Sequence, residues 1–228
     1  MKYFFALLMS MITLGTLTAQ TYEIGLTAGG VNFVGDVGST AFINPTTLGL
    51  GGIIRWNRSL RHSFRASLIL ARLKADDADS HETRRNERGY SFQSTLGEAS
   101  LGIEYTFWDF DVHSGEHIST PYLYTGLTAI GFHNLYKDQN EVFRADGKSI
   151  NFAIPMILGY KLSLGRHAIL GAEIGARYTF TDNLDGSNPK GDGKENFSFG
   201  NTNNNDWYLF TGINLSLTFG RKPCYCNF

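Results

Sequence analysis

The sequence predicts an all-β fold: an eight-stranded antiparallel transmembrane β-barrel of the outer-membrane type. Long segments alternate with a period of two, one face apolar and the other rich in glycine and charge. Most of these segments exceed the ~5–6 residues usual for soluble strands and reach the ~9–11 that a tilted strand needs to cross a bilayer. Composition agrees: 228 residues suit one domain, and 14% aromatic residues with 26 glycines, without a collagen period, favour strands over helices or disorder. A net charge of −1 lacks the basic excess that drives nucleic-acid binding.

At the start, Lys2 precedes an apolar stretch from Tyr3 to Leu17, and Thr18 and Ala19 are small. That is the layout of a secretory signal peptide over residues 1–19, shorter than the ~20 apolar residues of a membrane anchor. No cysteine follows the cleavage region to take a lipid, so the mature chain is expected to be exported and unlipidated. The barrel is then expected over 20–220, with a periplasmic tail over 221–228 that holds Cys224 and Cys226, the only two cysteines.

Eight strands are read at 22–35, 47–57, 61–74, 90–107, 121–133, 149–163, 167–181 and 206–219. Between them, stretches such as Asp36 to Thr46, the charged Ala75 to Gly89, Asn134 to Lys148 and the Gly/Asn/Asp-rich Asp182 to Asn205 form loops. Tight turns fall at Arg58 to Leu60 and Leu164 to Arg166, and Asp109 to Thr120 makes the remaining connection. Longer loops at one end and mostly shorter turns at the other are the habit of bacterial outer-membrane barrels.

The last two strands are the clearest. Ala168, Leu170, Ala172, Ile174, Ala176, Tyr178 and Phe180 share one face, while Gly171, Glu173, Gly175 and Arg177 share the other. In the final strand, Trp207 to Phe219 at odd positions oppose Tyr208 to Thr218 at even ones. A lumen this narrow is filled by side chains, and buried charges there need partners. Glu23, Glu98, Glu104 and Glu173 are set against Arg55, Arg65, Lys161 and Arg177, four acids to four bases. A soluble lipocalin-like barrel or β-sandwich would turn those faces outwards. The opposite rows, such as Leu101, Ile103, Tyr105 and Phe107, are too apolar for a water-facing side. Trp56, Phe107, Trp108, Phe132, Tyr178, Phe180, Trp207 and Phe219 fall at strand ends, as in interfacial aromatic girdles.

Motifs that could carry chemistry are few. His113-Ser-Gly-Glu-His117 has the spacing of inverted zinc peptidases, but that motif works on a helix, and here it contains Gly115 and lies between strands. Thr181 to Gly186 with Asp192 overlays part of a calcium loop, yet the first ligand place is threonine, and Asx-Gly turn chemistry explains the same residues. Asp76, Asp77 and Asp79 followed by Arg84, Arg85 and Arg88 read as a self-neutralising exposed loop. No nucleophile elbow, phosphate loop or dinucleotide fingerprint occurs. No catalytic residue, metal site or cofactor is expected.

The opening hairpin Gly25 to Asp36, Ile43-Asn-Pro and Gly49 to Trp56 resemble the PorG family of the Bacteroidetes type IX secretion system. So do Ala75 to Ser80, Arg88 to Phe92, Leu101 to Phe107 with Asp109-Phe110, Pro121-Tyr-Leu-Tyr, Gly131-Phe-His-Asn and Thr181 to Asp185. The ordered set spans nearly the whole mature chain, and the tail Arg221 to Phe228 departs from it. The resemblance implies an outer-membrane component of a protein-secretion machine, in some relatives supporting gliding motility, which associates with a periplasmic ring of the PorK lipoprotein and PorN. It carries no catalytic residues. An eight-stranded barrel is also too narrow to pass folded cargo, which suits an anchor better than a pore.

On that reading the periplasmic side carries Asp109, Phe110 and the tail, and these are the candidate partner contacts. Cys224 or Cys226, outside the barrel in an oxidising compartment, is a candidate for a disulfide to a partner. The competing expectation is a generic small barrel of OmpA/OmpX shape that binds surface ligands through its long loops.

Overall fold

The computed structural model describes residues 21–112, 114–137, 143–189, 196, 198–201 and 203–220. Eight strands follow in chain order: β1 (Thr21–Val34), β2 (Thr47–Asn57), β3 (His62–Asp76), β4 (Ser91–Thr106), β5 (Ser119–Lys137), β6 (Phe143–Leu164), β7 (Ala168–Thr179) and β8 (Trp207–Phe219). Each pairs antiparallel with the next, and β8 closes on β1 from Tyr22↔Phe219 to Val34↔Trp207. Closure gives every strand a ladder on both sides through the body of the barrel, the condition for a β-structure inside a bilayer.

Six strands lie within a few residues of the sequence reading. The departure is the β5–β6 hairpin, whose ladder continues past a register shift at His133/Leu135 through Leu135↔Ala145 and Lys137↔Phe143. Asn134 to Lys148 is polar, which signalled a loop. Outside the bilayer, however, polar residues can stand on both faces of a strand, so pairing ends later than hydrophobicity does. The stretch Ala75 to Gly89 also differs from a plain loop. It forms a 3-10 turn at Asp77–Asp79 and a short helix, α1 (Thr83–Arg88), which stops where Gly89 takes φ +66° and its N–H reaches Arg85 O at 3.0 Å.

The strand alternation divides the barrel cleanly. In β7, Ile169, Gly171, Glu173, Gly175, Arg177 and Thr179 point inwards and are buried. Outside, Leu26, Leu50, Leu68, Leu101, Leu127 and Ile213 remain more than half exposed and form an apolar belt. A belt of this kind cannot face water at such size, and it makes this a membrane-spanning barrel. Aromatics mark its margins: Tyr22 on Phe219 and Trp56 on Phe64 at the end that carries the turns, Tyr178 on Trp207 at the loop end. Phe132, expected in the girdle, instead faces the lumen and is buried, because it shares its face of β5 with Ile130 and Tyr124.

The lumen has two zones. Towards the loops it is an apolar core that includes Val31, Phe33, Leu73, Phe92, Leu96, Ile130, Phe132 and Phe210, roofed by Val37 and Leu184 from the loops. Below that it is charged. One glycine makes room for this lower zone: a Cβ on Gly159 would stand 2.2 Å from Cζ of Tyr122, so only glycine lets that ring lie across β6.

Candidate functional site

Alternation places Glu23, Arg55, Arg65, Glu104, Lys161 and Glu173 on the inner wall of β1, β2, β3, β4, β6 and β7, and the closed barrel brings them together. Arg55 Nε donates to Glu104 at 2.8 Å and Nη1 donates to Glu23 at 3.1 Å. Lys161 Nζ donates to the other Glu104 oxygen at 2.7 Å. Arg65 holds both Glu173 oxygens at 2.8 and 3.0 Å, and Tyr122 OH adds a third bond to Glu173 at 2.7 Å. Higher up, Arg177 pairs with both oxygens of Glu98 at 3.2 and 3.3 Å, and Tyr208 OH donates to Glu98 at 2.8 Å. All eight charged residues are 4% exposed or less.

Ion pairs this deep lose hydration and recover it only with good geometry, so their net gain in stability is small. What they supply is a unique register and a blocked lumen. The Arg65 guanidinium also lies 4.7 Å from the centre of the Tyr124 ring. Tyr122, Tyr124 and Tyr208 complete the network without having been singled out in the sequence. Their signal was the same inward parity that marked Lys161.

The turn end is plugged as well. In the β4–β5 connection, Phe110 and Val112 pack against Ile169, and Lys161 Nζ sits 4.8 Å from the Phe110 ring centre. Phe110 is 6% exposed, which corrects its reading as a partner contact: the ring is spent closing the barrel. Asp109 beside it is exposed and pairs with Arg61 of the β2–β3 turn. Cys224 and Cys226 lie outside the described residues. So does His113, and the described residues around it form turns, not a helix, with Gly115 at φ +74° and His117 Nδ1 3.3 Å from Ser163 O. The described residues of the motif therefore do not lie on a helix.

At the loop end Asp79 and Arg84 of the charged stretch are exposed as expected, but Asp77, Arg85 and Arg88 stitch it to the first loop. Asp77 is fully buried and accepts from Gly38 N at 2.8 Å, Tyr90 N at 3.0 Å and Arg88 Nε at 2.8 Å. Arg85 and Arg88 donate to the carbonyls of Gly35 and Asp36. This ties the first loop to the second. Burial works against the charge on Asp77, but the bonds from Arg88, Gly38 and Tyr90 outweigh it and hold the carboxyl below its usual range.

The last loop carries the opposite case. Asp185 is buried and its Oδ1 accepts from Ser187 N at 2.9 Å, the Asx turn expected of Asp-Gly, while Oδ2 finds no partner among the described residues. Burial, with Asp36 and Asp182 nearby, pushes Asp185 up to about 6. Asp206 is raised too, by burial and then by the charge of Asp185, although Leu184 N donates to it at 2.9 Å.

Solved structures of similar form are outer-membrane barrels. The N-terminal barrel domain of Pseudomonas aeruginosa OprF matches at 14% identity, with 86% of this chain and 97% of that chain covered and a TM-score of 0.45. Neisserial surface protein A matches at 11% identity over 89% and 98%, with a TM-score of 0.46. A major outer membrane protein of Thermus thermophilus matches at 15% identity over 88% and 100%, and its TM-score of 0.52 is the likeness on which the shared fold rests. Among curated proteins none matches significantly. The family model described as a domain of unknown function (DUF6089) matches residues 2–228, and the chain belongs to that family.

Proposed function

We propose that this barrel is a non-enzymatic outer-membrane component of the type IX protein secretion machinery, docking the periplasmic PorK/PorN ring to the outer membrane. The observation that carries this reading is the filled lumen. With Arg55, Arg65 and Lys161 paired across it and Phe110 closing the turn end, no path for cargo is left, so the barrel acts through its surfaces. The resemblance of its ordered motifs to the PorG family supplies the partner class. The turn end offers it Trp108, 57% exposed, beside Asp109. Cys224 or Cys226 then makes a disulfide to the ring.

Extraction of the native protein in mild detergent without reductant, with mass spectrometry of everything that co-purifies, tests this. Ring components that co-elute support it. A well-folded barrel that elutes alone refutes it. Changing both cysteines to serine should remove a high-mass band on a non-reducing gel, and a persistent band ends the disulfide proposal.

A second reading, ligand binding at the loop end, is favoured by a polar cleft of about 410 Å³ lined by Asp36, Arg85, Tyr178, Asn204, Asp206 and Trp207. Surface ligands captured by the purified barrel with no ring component would select it.

A further inference from the structure

We propose that the outer wall over β3–β6 is a binding site for a phosphorylated, acylated lipid of the outer leaflet, a site independent of the docking reading above. It joins two features at adjoining levels of the wall.

The upper feature is basic. Arg72 pairs with Thr95, the β4–β5 ladder sets Leu96 opposite Phe132, and His133 pairs with Lys148. Arg72, Thr95, His133 and Lys148 therefore follow one another across four strands at a single level, with Lys74 one step higher. Arg72, Lys74 and Lys148 are exposed and His133 half-buried, on the outward face that also carries Leu70 and Ile150. Among the described residues none of these four basic side chains has an ion-pair or hydrogen-bond partner. On the same face of β3, Asp76 stands two residues beyond Lys74 towards the loops, and it is engaged with Ala78 N at 3.0 Å.

The lower feature is an apolar groove. One step towards the turns, the pairing runs Leu70↔Gly97, Gly97↔Gly131 and Gly131↔Ile150, and one further step brings Ala99↔Ala129. Two glycines and two alanines recess the wall between Leu70 and Ile150, leaving a groove of about 560 Å³ that continues over Ala99 and Ala129 into a second of about 720 Å³. An isolated recess would take any lipid tail. Here its upper end opens beneath Arg72 and Lys148, which have no partner among the described residues, and charge complementarity selects the occupant. Arg72 can grip phosphate through two N–H groups and Lys148 adds a point charge. Among the described side chains no carboxylate stands at that level to hold the ammonium of a zwitterionic headgroup. An anionic phosphate above and an acyl chain below fit both parts.

The test folds the full chain into phosphatidylcholine vesicles containing lipid A, re-extracts it in mild detergent and measures retained lipid A by mass spectrometry. Two variants address the two halves. Arg72→Glu with Lys148→Glu reverses the headgroup charge. Gly97→Leu with Gly131→Leu fills the groove, and it can fold because a Cβ on Gly97 meets nothing nearer than 3.7 Å and one on Gly131 meets nothing within 4 Å. Folding of each is checked by the mobility shift between unboiled and boiled samples. Retention should fall about tenfold in each variant, and dephosphorylated lipid A should be retained no better than by the charge-reversed protein. Unchanged retention in either variant overturns the proposal. So does equal retention of the dephosphorylated lipid, or displacement by an equal concentration of inorganic phosphate, which would make this a free-anion site.

Discussion

Arg65 on β3 and Glu173 on β7 meet across the full width of the lumen, two parallel hydrogen bonds of 2.8 and 3.0 Å joining strands that share no ladder. The pair is a cross-strut. It can form only after the barrel has closed, so it rewards the correct register and no other.

Glu173→Ala leaves Arg65 fully buried with Glu104 at 3.7 Å as its remaining carboxylate. Removing one partner of a buried ion pair should cost about 3–5 kcal/mol. Urea unfolding of the refolded barrel in detergent micelles checks this. Asp109→Ala, which breaks only the exposed pair with Arg61, should leave the midpoint where it was.

Phe110→Ala opens the turn end. Loss of a buried ring should destabilise by about 3 kcal/mol, and Lys161, whose ammonium lies over that ring, becomes reachable from the periplasm. Labelling with a small amine-reactive reagent should detect Lys161 in the variant and spare it in the parent. Equal labelling in both would contradict the plug.

Asp77→Ala removes the acceptor shared by two loops. Hydrogen exchange at the amides of Gly38 and Tyr90 should accelerate, with a local loss of about 3 kcal/mol. The pH dependence has a definite sign. The folded-state pKa of Asp77 is depressed, so its contribution is present above the ordinary carboxylate value of ~3.9 and is lost as pH falls through the folded value. Protection of these two amides that persists under strong acid would refute the assignment.

Asp185 behaves the other way. Raised to about 6, it stabilises the last loop fully below ~3.9 and loses that contribution as pH rises through its folded value. Protection of the Ser187 amide should be greater at acid than at neutral pH. Asp185→Asn keeps the Oδ1 acceptor, removes the buried charge, and should raise protection at neutral pH while narrowing the difference between the two. Asp206, also raised, sets what remains.

Most of the barrel was legible from parity. Glu173 and Arg177 share a face with Gly171 and Gly175, and that face had to be the lumen once the opposite row read as apolar. That four acids balance four bases on the inward faces was legible in the same way. Phe132 was placed in the girdle because aromatic character says that a ring will leave water, but not whether it enters lipid or protein. Phe110, read as a partner contact, packs into its own barrel. Phe132 turned inwards through its place in the β5 alternation, whereas Phe110 sits in a connection with no period to read.

The amino-acid sequence by itself determined the number of strands, which side of each faces lipid, and that the inner charges balance, because these follow from local alternation and composition. Only the closed barrel decided which acid meets which base, that Asp77 ties two loops, and that Arg72, His133 and Lys148 share one level above a glycine-floored recess. Those relations join residues from separate strands, and their geometry is set by ladder register and ring closure.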